Sequence, residues 1–580
     1  MNRSSGAIQM NLTEMQSPDW WRSAVIYQIY PRSFADANHD GSGDIQGVIQ
    51  NIDYLVELGV DAIWFSPWFP SPDKDGGYDV ADYCDIKPEF GTLADAKELI
   101  EKAHSVGIKV IIDIVPNHCS DEHEWFQKAK KTAPPSADWD YFHVIEGRPG
   151  GLPPNDWKSL FGGSAWEEII HDGTATGFYY LHIFDKGQPD LNWENPKIHA
   201  EFDKILRFWF DLGIDGFRVD VAHGLYKAAG YPEHAGEEEV RDDTGGLLDV
   251  RPLPFFDQPE VHPVYRRWRS IADEYSPARM FVAEAWVPTV ERLSKYLRAD
   301  ELHSGFNFGF LMAGWDYWGL RTNIENSLKD MATLAIPTTW VVENHDVPRI
   351  VTRFGVDTKL VHHADSGDPT DKDSSHYIPN SAELDRGRNR SRAMAMLLAA
   401  LPGSMYLYQG QELGLDEVRD LPNELRQDPV FKNTETHAKG RDGCRVPLPW
   451  TRSGLNLGFN QSTQHPWLPM PSSWDGLSVE AQSADESSVL RHHQTTLQIR
   501  KQLQLGLGEL EMRTDLAAEG VLAFLRQTPV GTYLVCVNLT GQTQDIPVAE
   551  VLHSSEPFIS AELQEGSLAA DAAVWLKWHA

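Results

Sequence analysis

The feature that most restricts this chain is a rhythm between residues 24 and 408. Short apolar runs, each stopped by a polar residue or proline, alternate with stretches of helical periodicity. The runs are Ala24–Tyr30, Ala62–Phe65, Lys109–Ile114, Gly216–Asp220, Met280–Glu284, a run near Phe306–Phe308, Thr338–Val342 and Gly403–Tyr408. Between them, Val48, Ile52, Leu55 and Val56 fall at helical spacing before Gly59, as do Leu93, Ala96, Leu99, Ile100, Ala103 and Val106 before Gly107. A further amphipathic helix is expected over Ile198–Leu212. Near-continuous apolar strands with short connections build a parallel sheet covered by helices, open or closed. Eight of them point to an α/β protein of the (β/α)8 TIM-barrel class, whose reactive groups lie at the C-terminal ends of the strands.

The 580 residues exceed one core of ordinary size. The rhythm breaks after His118, where residues 119–186 are rich in Trp, Pro, Gly and His, so an inserted subdomain is expected after strand 3. The barrel would then span 19–118 and 187–480, preceded by a polar tail over 1–18. Residues 481–580 read as a helix and a C-terminal antiparallel β-sandwich domain, with strands over Gly520–Arg526 and Gly531–Leu539. A net charge of −34 repels phosphate backbones and anionic bilayers, which argues against nucleic acid and membrane partners. Cys84, Cys119, Cys444 and Cys536 are scattered and form no CxxC pair, so they read as reduced thiols. With no apolar leader before Pro18 and no membrane-length run, a cytoplasmic protein is expected, monomer or homodimer.

Chemistry gathers where the strands end. In Gly216-Phe217-Arg218-Val219-Asp220 the two-residue period of a strand turns Arg218 and Asp220 to one side, and the guanidinium favours an ionised Asp220. Asp113 and His118 follow the third run, Glu284 the fifth, His345 and Asp346 the seventh. One polar residue at a strand end is ordinarily a loop hydrogen-bond partner; repetition on several strands points to a common pocket. Separately, Asp36, Asn38, Asp40, Ser42 and Asp44 place oxygens at alternate positions around Gly41, either a site for a hard divalent cation or a polar turn.

Six stretches together resemble the α-amylase family, glycoside hydrolase family 13, and within it the α-glucosidase and oligo-1,6-glucosidase group. They are Val25–Phe34, Asp113–His118, Gln188–Trp193, Gly216–Asp220, Val282–Ala285 and Glu343–Asp346. The resemblance implies Asp220 as nucleophile, Glu284 as general acid/base and Asp346 as the carboxylate that grips sugar hydroxyls in the transition state. A retaining glycosidase needs such a pair, one ionised and one protonated carboxyl about 5–5.5 Å apart. Glu284, beside Ala283, Ala285 and Trp286, is expected in a setting dry enough to raise its pKa. The resemblance also implies sugar contacts at Asp75, Tyr78, His118, Arg218, His345 and Arg441, and a structural calcium ion held by Asp36, Asn38, Asp40, the Ser42 carbonyl and Asp44, with no organic cofactor.

The implied activity is exo-acting, retaining hydrolysis of terminal α-linked glucose from short oligosaccharides. Cys119 stands where the group often has Thr, and Ala222-His223 replace a common Ile/Val-Asn. Val221 resembles members that accept α-1,6 links, whereas Val221-Ala222-His223 resembles maltose-acting enzymes, so α-1,4 activity with α-1,6 tolerance is expected. The alternatives are a transglucosylase or sucrose-acting relative, and a non-catalytic carbohydrate-binding or transporter-associated relative. The charged, Gly-rich segment 224–258 is expected to cover the pocket mouth.

Overall fold

The computed structural model describes residues 17–234, 253–357, 366–434, 436–557 and 559–579, and the backbone alone of 239–241 and 247–250. The polar tail expected over 1–18 lies outside the described residues except for its last two.

The parallel strands are β1 (Val25–Ile29), β2 (Ala62–Phe65), β3 (Lys109–Ile114), β4 (Gly216–Val219), β5 (Met280–Ala283), β6 (Ser304–Gly305), β7 (Thr339–Val341) and β8 (Ser404–Tyr408). They pair in the order β6-β5-β4-β3-β2-β1-β8-β7. A parallel bridge from Phe306, just past β6, to Thr339 of β7 closes the seam, so the sheet is a barrel. The expected sixth strand is displaced: β6 is two residues long, and Phe308 opens a short helix, Phe308–Leu311, capped by the Asn307 side chain.

The two-residue period sorts the strands longer than β6. Ile26, Trp64, Ile111, Val282, Val341 and Tyr406 pack together inside the barrel. Their neighbours Tyr27, Ile63, Phe65, Ile112, Phe217, Phe281, Trp340 and Leu407 pack outward against the helices. With Ile111 inward, Asp113 is inward as well; with Gly216 inward, so are Arg218 and Asp220. The helix leading to Gly59 is in two pieces, Ile45–Gln50 and Ile52–Leu58, and Gly59 ends it in the left-handed region at φ 92°.

Between β3 and β4 the chain builds a three-stranded antiparallel sheet of Val144–Glu146, Trp166–His171 and Thr174–Leu181. Beyond the barrel, Val489–Gln502 is helical and a five-stranded antiparallel sheet follows. On that sheet Phe524, Val535 and Trp575 join the barrel's outer core, while Ala523, Leu534 and Val574 pack under a two-stranded ribbon and the helix Ala561–Gln564.

The loop after β7 is anchored by the helix Ile350–Val356, which crosses Ser381–Ala400 at two glycines. A Cβ on Gly387 would come within 1.9 Å of the Val351 carbonyl oxygen. Helix propensity favours Gly387→Ala by about 1 kcal/mol, but forcing two backbones apart costs about 1–3 kcal/mol. Because a backbone oxygen cannot rotate away as a side chain can, the clash wins. The urea midpoint of Gly387→Ala should fall; a midpoint at or above wild type would refute this crossing.

Candidate active site

Asp113 and Arg218 meet inside the barrel because β3 and β4 pair in register, Asp113 opposite Arg218. Arg218 Nη1 donates to Asp113 Oδ2 at 3.1 Å and to Asp220 Oδ1 at 2.6 Å, and its Nη2 lies 2.8 Å from Glu284 Oε2. One guanidinium thus binds carboxyls from three consecutive strand ends. Glu284 is further fixed by the Val221 backbone N–H on Oε2 (3.0 Å) and Trp286 Nε1 on Oε1 (3.1 Å). To present that N–H, Val221 adopts φ 43°, which a β-branched residue rarely tolerates and which marks strain at a functional position.

Arg218 does not by itself keep Asp220 ionised as expected from the sequence. Burial pushes the Asp220 carboxyl well up, Arg218 opposes this, and the negative charges of Glu284 and Asp113 add to the rise. Asp220 and Glu284, two carboxyls on one guanidinium, form a dyad in which the charge of Glu284 disfavours ionisation of Asp220. Asp113, which also accepts from Trp64 Nε1 and the Tyr78 hydroxyl, is raised to about 7 by burial against the pull of Arg218.

Across the site stands a second charged group. Arg441 donates through Nη2 to Asp75 Oδ1 (2.6 Å), through Nη1 to Asp346 Oδ1 (3.1 Å) and through Nε to Asp428 Oδ2 (2.6 Å). Arg445 Nη2 reaches the same Asp346 oxygen at 3.1 Å. Burial works to raise Asp346, but His345, Arg441 and Arg445 overcome it and hold the carboxyl far below its usual range. Since burial also drives the His345 pKa well down, the two guanidiniums are the charges that persist at neutral pH. Burial works to raise Asp428 too, and Arg441 and Arg445 hold it at about 2. Burial takes His118 to about 4, so this ring is neutral beside Gln188 and the Tyr78 carbonyl.

A cavity of about 420 Å3 opens here, within the size range of small-molecule sites. Asp75, Tyr78, His118, Asp220, Glu284, Asp346 and Arg441 line it. Arg218 and His345 do not reach the lining; they stand behind it, Arg218 under the dyad and His345 beside the Tyr78 hydroxyl at 2.6 Å. The inserted sheet region adds Leu160, Phe161 and Phe184, and the segment expected over the mouth adds Leu253 and Phe256. Residues 235–238, 242–246 and 251–252 of that segment lie outside the described residues.

Sequence reasoning missed Arg445 and Asp428, which fix Asp346 and Arg441, and the aromatic wall. Arg445 had a signal: it follows Arg441 by one helical turn's spacing in the same short stretch, Arg441-Asp442-Gly443-Cys444-Arg445.

The loop of Asp36, Asn38, Asp40, Ser42 and Asp44 lies outside this cavity. Asp44 caps the helix Ile45–Gln50 through the Gly47 N–H and accepts from the backbone of Ala37 and Asn38. Asp36 accepts from His39, Gly41 and Asn460, while the Ser42 hydroxyl is buried without a partner. Among the described residues no three His, Cys, Asp or Glu side chains gather as a metal-holding group. A hard cation would therefore depend on Asn38 and a backbone carbonyl as well as on carboxylates, a donor set of oxygens that suits calcium.

The alpha amylase catalytic-domain model matches residues 28–366 and 377–506. The chain belongs to the α-amylase family. It is 36% identical over 518 residues to an oligo-1,6-glucosidase of Parageobacillus thermoglucosidasius, covering 83% of this chain and 84% of that one. It is 35% identical over 544 residues to a probable alpha-glucosidase of Rhizobium meliloti strain 1021, covering 91% of each. Among solved structures, the alpha-glucosyl transfer enzyme XgtA superposes with a TM-score of 0.80 at 34% identity, covering 97% of this chain and 99% of that one.

Replacing Arg218 by Lys keeps one charge but cannot hold Asp113, Asp220 and Glu284 at once. Turnover by Arg218→Lys should fall by roughly 10²–10³-fold, the scale for losing a preorganised electrostatic contact, with substrate affinity little changed; near-wild-type turnover would remove Arg218 from the centre of the site.

Proposed function

We propose that this protein is an exo-acting retaining α-glucosidase that releases terminal α-linked glucose from short oligosaccharides. The observation that carries the reading is the Asp220–Glu284 dyad on Arg218, facing Asp346 across a cavity walled on that side by Asp75 and Arg441. Glu284 Oε2 takes two donors, the Val221 N–H and Arg218, while Oε1 takes one, the Trp286 Nε1–H, and so keeps room to carry the proton that the mechanism needs. From there it passes to the glycosidic oxygen as that oxygen leaves the anomeric carbon. Asp220, ionised, attacks the same carbon and forms a glucosyl ester. Glu284, now ionised, takes a proton from water, whose oxygen displaces Asp220 and returns the α-anomer.

Asp75 and Asp346, tied to Arg441, present carboxylate oxygens to the hydroxyls of the terminal glucose, and Tyr78 and the neutral His118 complete that end. A wall of cross-linked side chains at one end of the cavity stops the chain there, which fits exo-action. The similarity to both an oligo-1,6-glucosidase and a probable alpha-glucosidase supports activity on α-1,6 as well as α-1,4 links. Transfer is a second reading with its own support: Trp286, 44% exposed and stacked on Phe308 at 3.7 Å, offers an apolar face beside Glu284 on which an acceptor sugar can displace water. Unpaired Cys84, Cys119, Cys444 and Cys536 fit a reducing compartment such as the cytoplasm. No helix among the described residues is long and apolar enough to cross a membrane.

With maltose and isomaltose as substrates, NMR of fresh product should show α-glucose first, and Asp220→Ala should lose at least about 10⁴-fold in turnover. First appearance of β-glucose, or an active Asp220→Ala, would overturn the mechanism. Because burial raises the Asp220 carboxyl and the nucleophile must be ionised, activity should fall on the acid side as Asp220 retains its proton. Glu284→Gln measured on a glucoside whose leaving group needs no protonation should keep that acid limb, whereas its disappearance would take the limb away from Asp220.

We also propose a structural calcium ion in the loop of residues 36–44. Chelation with EGTA should lower the melting temperature by a few degrees and added calcium should restore it, since a ligand bound only by the folded state adds to its stability. An Asp40→Ala variant should be insensitive to both. An EGTA-indifferent wild type would leave the loop as a polar turn.

A further inference from the structure

A second cavity, of about 390 Å3, lies at the other end of the barrel. Its walls come from residues that precede strands: Trp21 and Arg22 before β1, Arg279 before β5, His303 before β6, Ile336 before β7. In a chain carrying a net −34, this lining is basic, with Arg22, Arg269, Arg279 and Arg298 against Asp19 and Asp273.

The acidic neighbours do not neutralise it. Asp273 is taken up by Arg269 Nε at 2.9 Å. Arg22 Nη2 donates to a carbonyl, Ala335 O, at 2.5 Å, and Arg298 Nε to the Lys295 carbonyl at 2.9 Å. Arg298 also lies 3.6 Å from Glu301, but Glu301 is held at 2.9 Å by Arg266 and at 2.8 Å by His262. Arg279, 8% exposed, reaches Asp215 at 3.3 Å, a carboxylate already bound more closely by Lys109 and His104, and its Nε is buried with no partner. His303 accepts the Phe281 N–H on Nδ1, so its Nε2 carries the proton and is a donor.

Arg22 and Arg298 each give one N–H to a carbonyl, and guanidinium forks with further donors on a cavity wall suit an oxyanion. Arg279 and Arg298 have only the longer contacts to Asp215 and Glu301, and among the described residues no carboxylate pairs with Arg22, so the wall carries positive charge that an anion balances. Trp21, Leu302 and Ile336 line the rest, more apolar wall than a bare inorganic ion would fill. We propose that this cavity binds a small phosphate monoester with an organic body, at a site separate from the candidate active site.

The test is isothermal titration of the full chain with glucose 6-phosphate, repeated with glucose at a concentration that fills the other cavity. Arg22 and Arg298 are partly exposed, so Arg22→Ala/Arg298→Ala should fold; its melting temperature checks this, and Arg298→Gln alone serves if the double variant melts early. One site is expected, indifferent to glucose and weakened at least about tenfold in the variant, whose maltose hydrolysis stays at the wild-type rate. Absence of binding heat in the wild type, loss of binding on adding glucose, equal binding by the variant, or tighter binding of citrate than of glucose 6-phosphate would each overturn the assignment.

Discussion

A single guanidinium holds the centre of this molecule together. Arg218 is enclosed by the barrel, 1% exposed, and cannot shed its charge, so every arrangement around it must supply anions. Asp113, Asp220 and Glu284 do so from β3, β4 and β5. A buried cation that lost one of these partners would be uncompensated by several kcal/mol. The same requirement that preserves the fold at this end of the barrel therefore keeps two carboxyls side by side on one guanidinium. Stability and chemistry draw on one contact set, and the strain at Val221 is what the backbone yields so that Glu284 is aimed as well as bound.

The second charged group solves a different problem. Asp75, Asp346 and Asp428 come from three distant stretches, and Arg441 spans all of them, with Arg445 doubling the hold on Asp346. The two arginines hold Asp346 ionised, whereas burial outweighs them at Asp75 and raises its carboxyl; both side chains are fixed before a sugar arrives. Preorganised acceptors lose little on binding, whereas flexible ones would have to be ordered at the substrate's expense.

Periodicity sets how much of this is legible in the sequence. A two-residue alternation tells which side of a strand a residue occupies, so Asp113, Arg218, Asp220 and Glu284 are recognisable as inward or strand-end groups before any geometry. The length of β6 is not, because two residues closed by one bridge carry no period, and Phe308 is an apolar residue that reads equally as strand or helix. Arg445 and Asp428 escape because their partners sit on other turns of irregular chain, 99 residues away for Arg445 and Asp346 and 13 for Asp428 and Arg441, with no period to relate them. The resemblance to known glycosidases supplied Asp75 and Arg441; spacing alone would not have joined positions 366 residues apart.

The aromatic wall explains how one barrel end can support either of two outcomes. Phe161 and Phe184 arrive from the loops around the inserted sheet, Phe256 from beyond β4, and Trp286 from just past Glu284. None is placed by the barrel's own repeat, so each can change without disturbing Arg218 and its partners. In the proposed mechanism the chemistry up to the glucosyl ester depends on the charged core and is common to hydrolysis and transfer. The fate of that ester depends on which nucleophile occupies the space beside Glu284, and an apolar face there favours a sugar ring over a water molecule that would lack partners. Water and acceptor sugar therefore compete at Trp286 and its neighbours, while the proton and the nucleophile remain the business of the dyad.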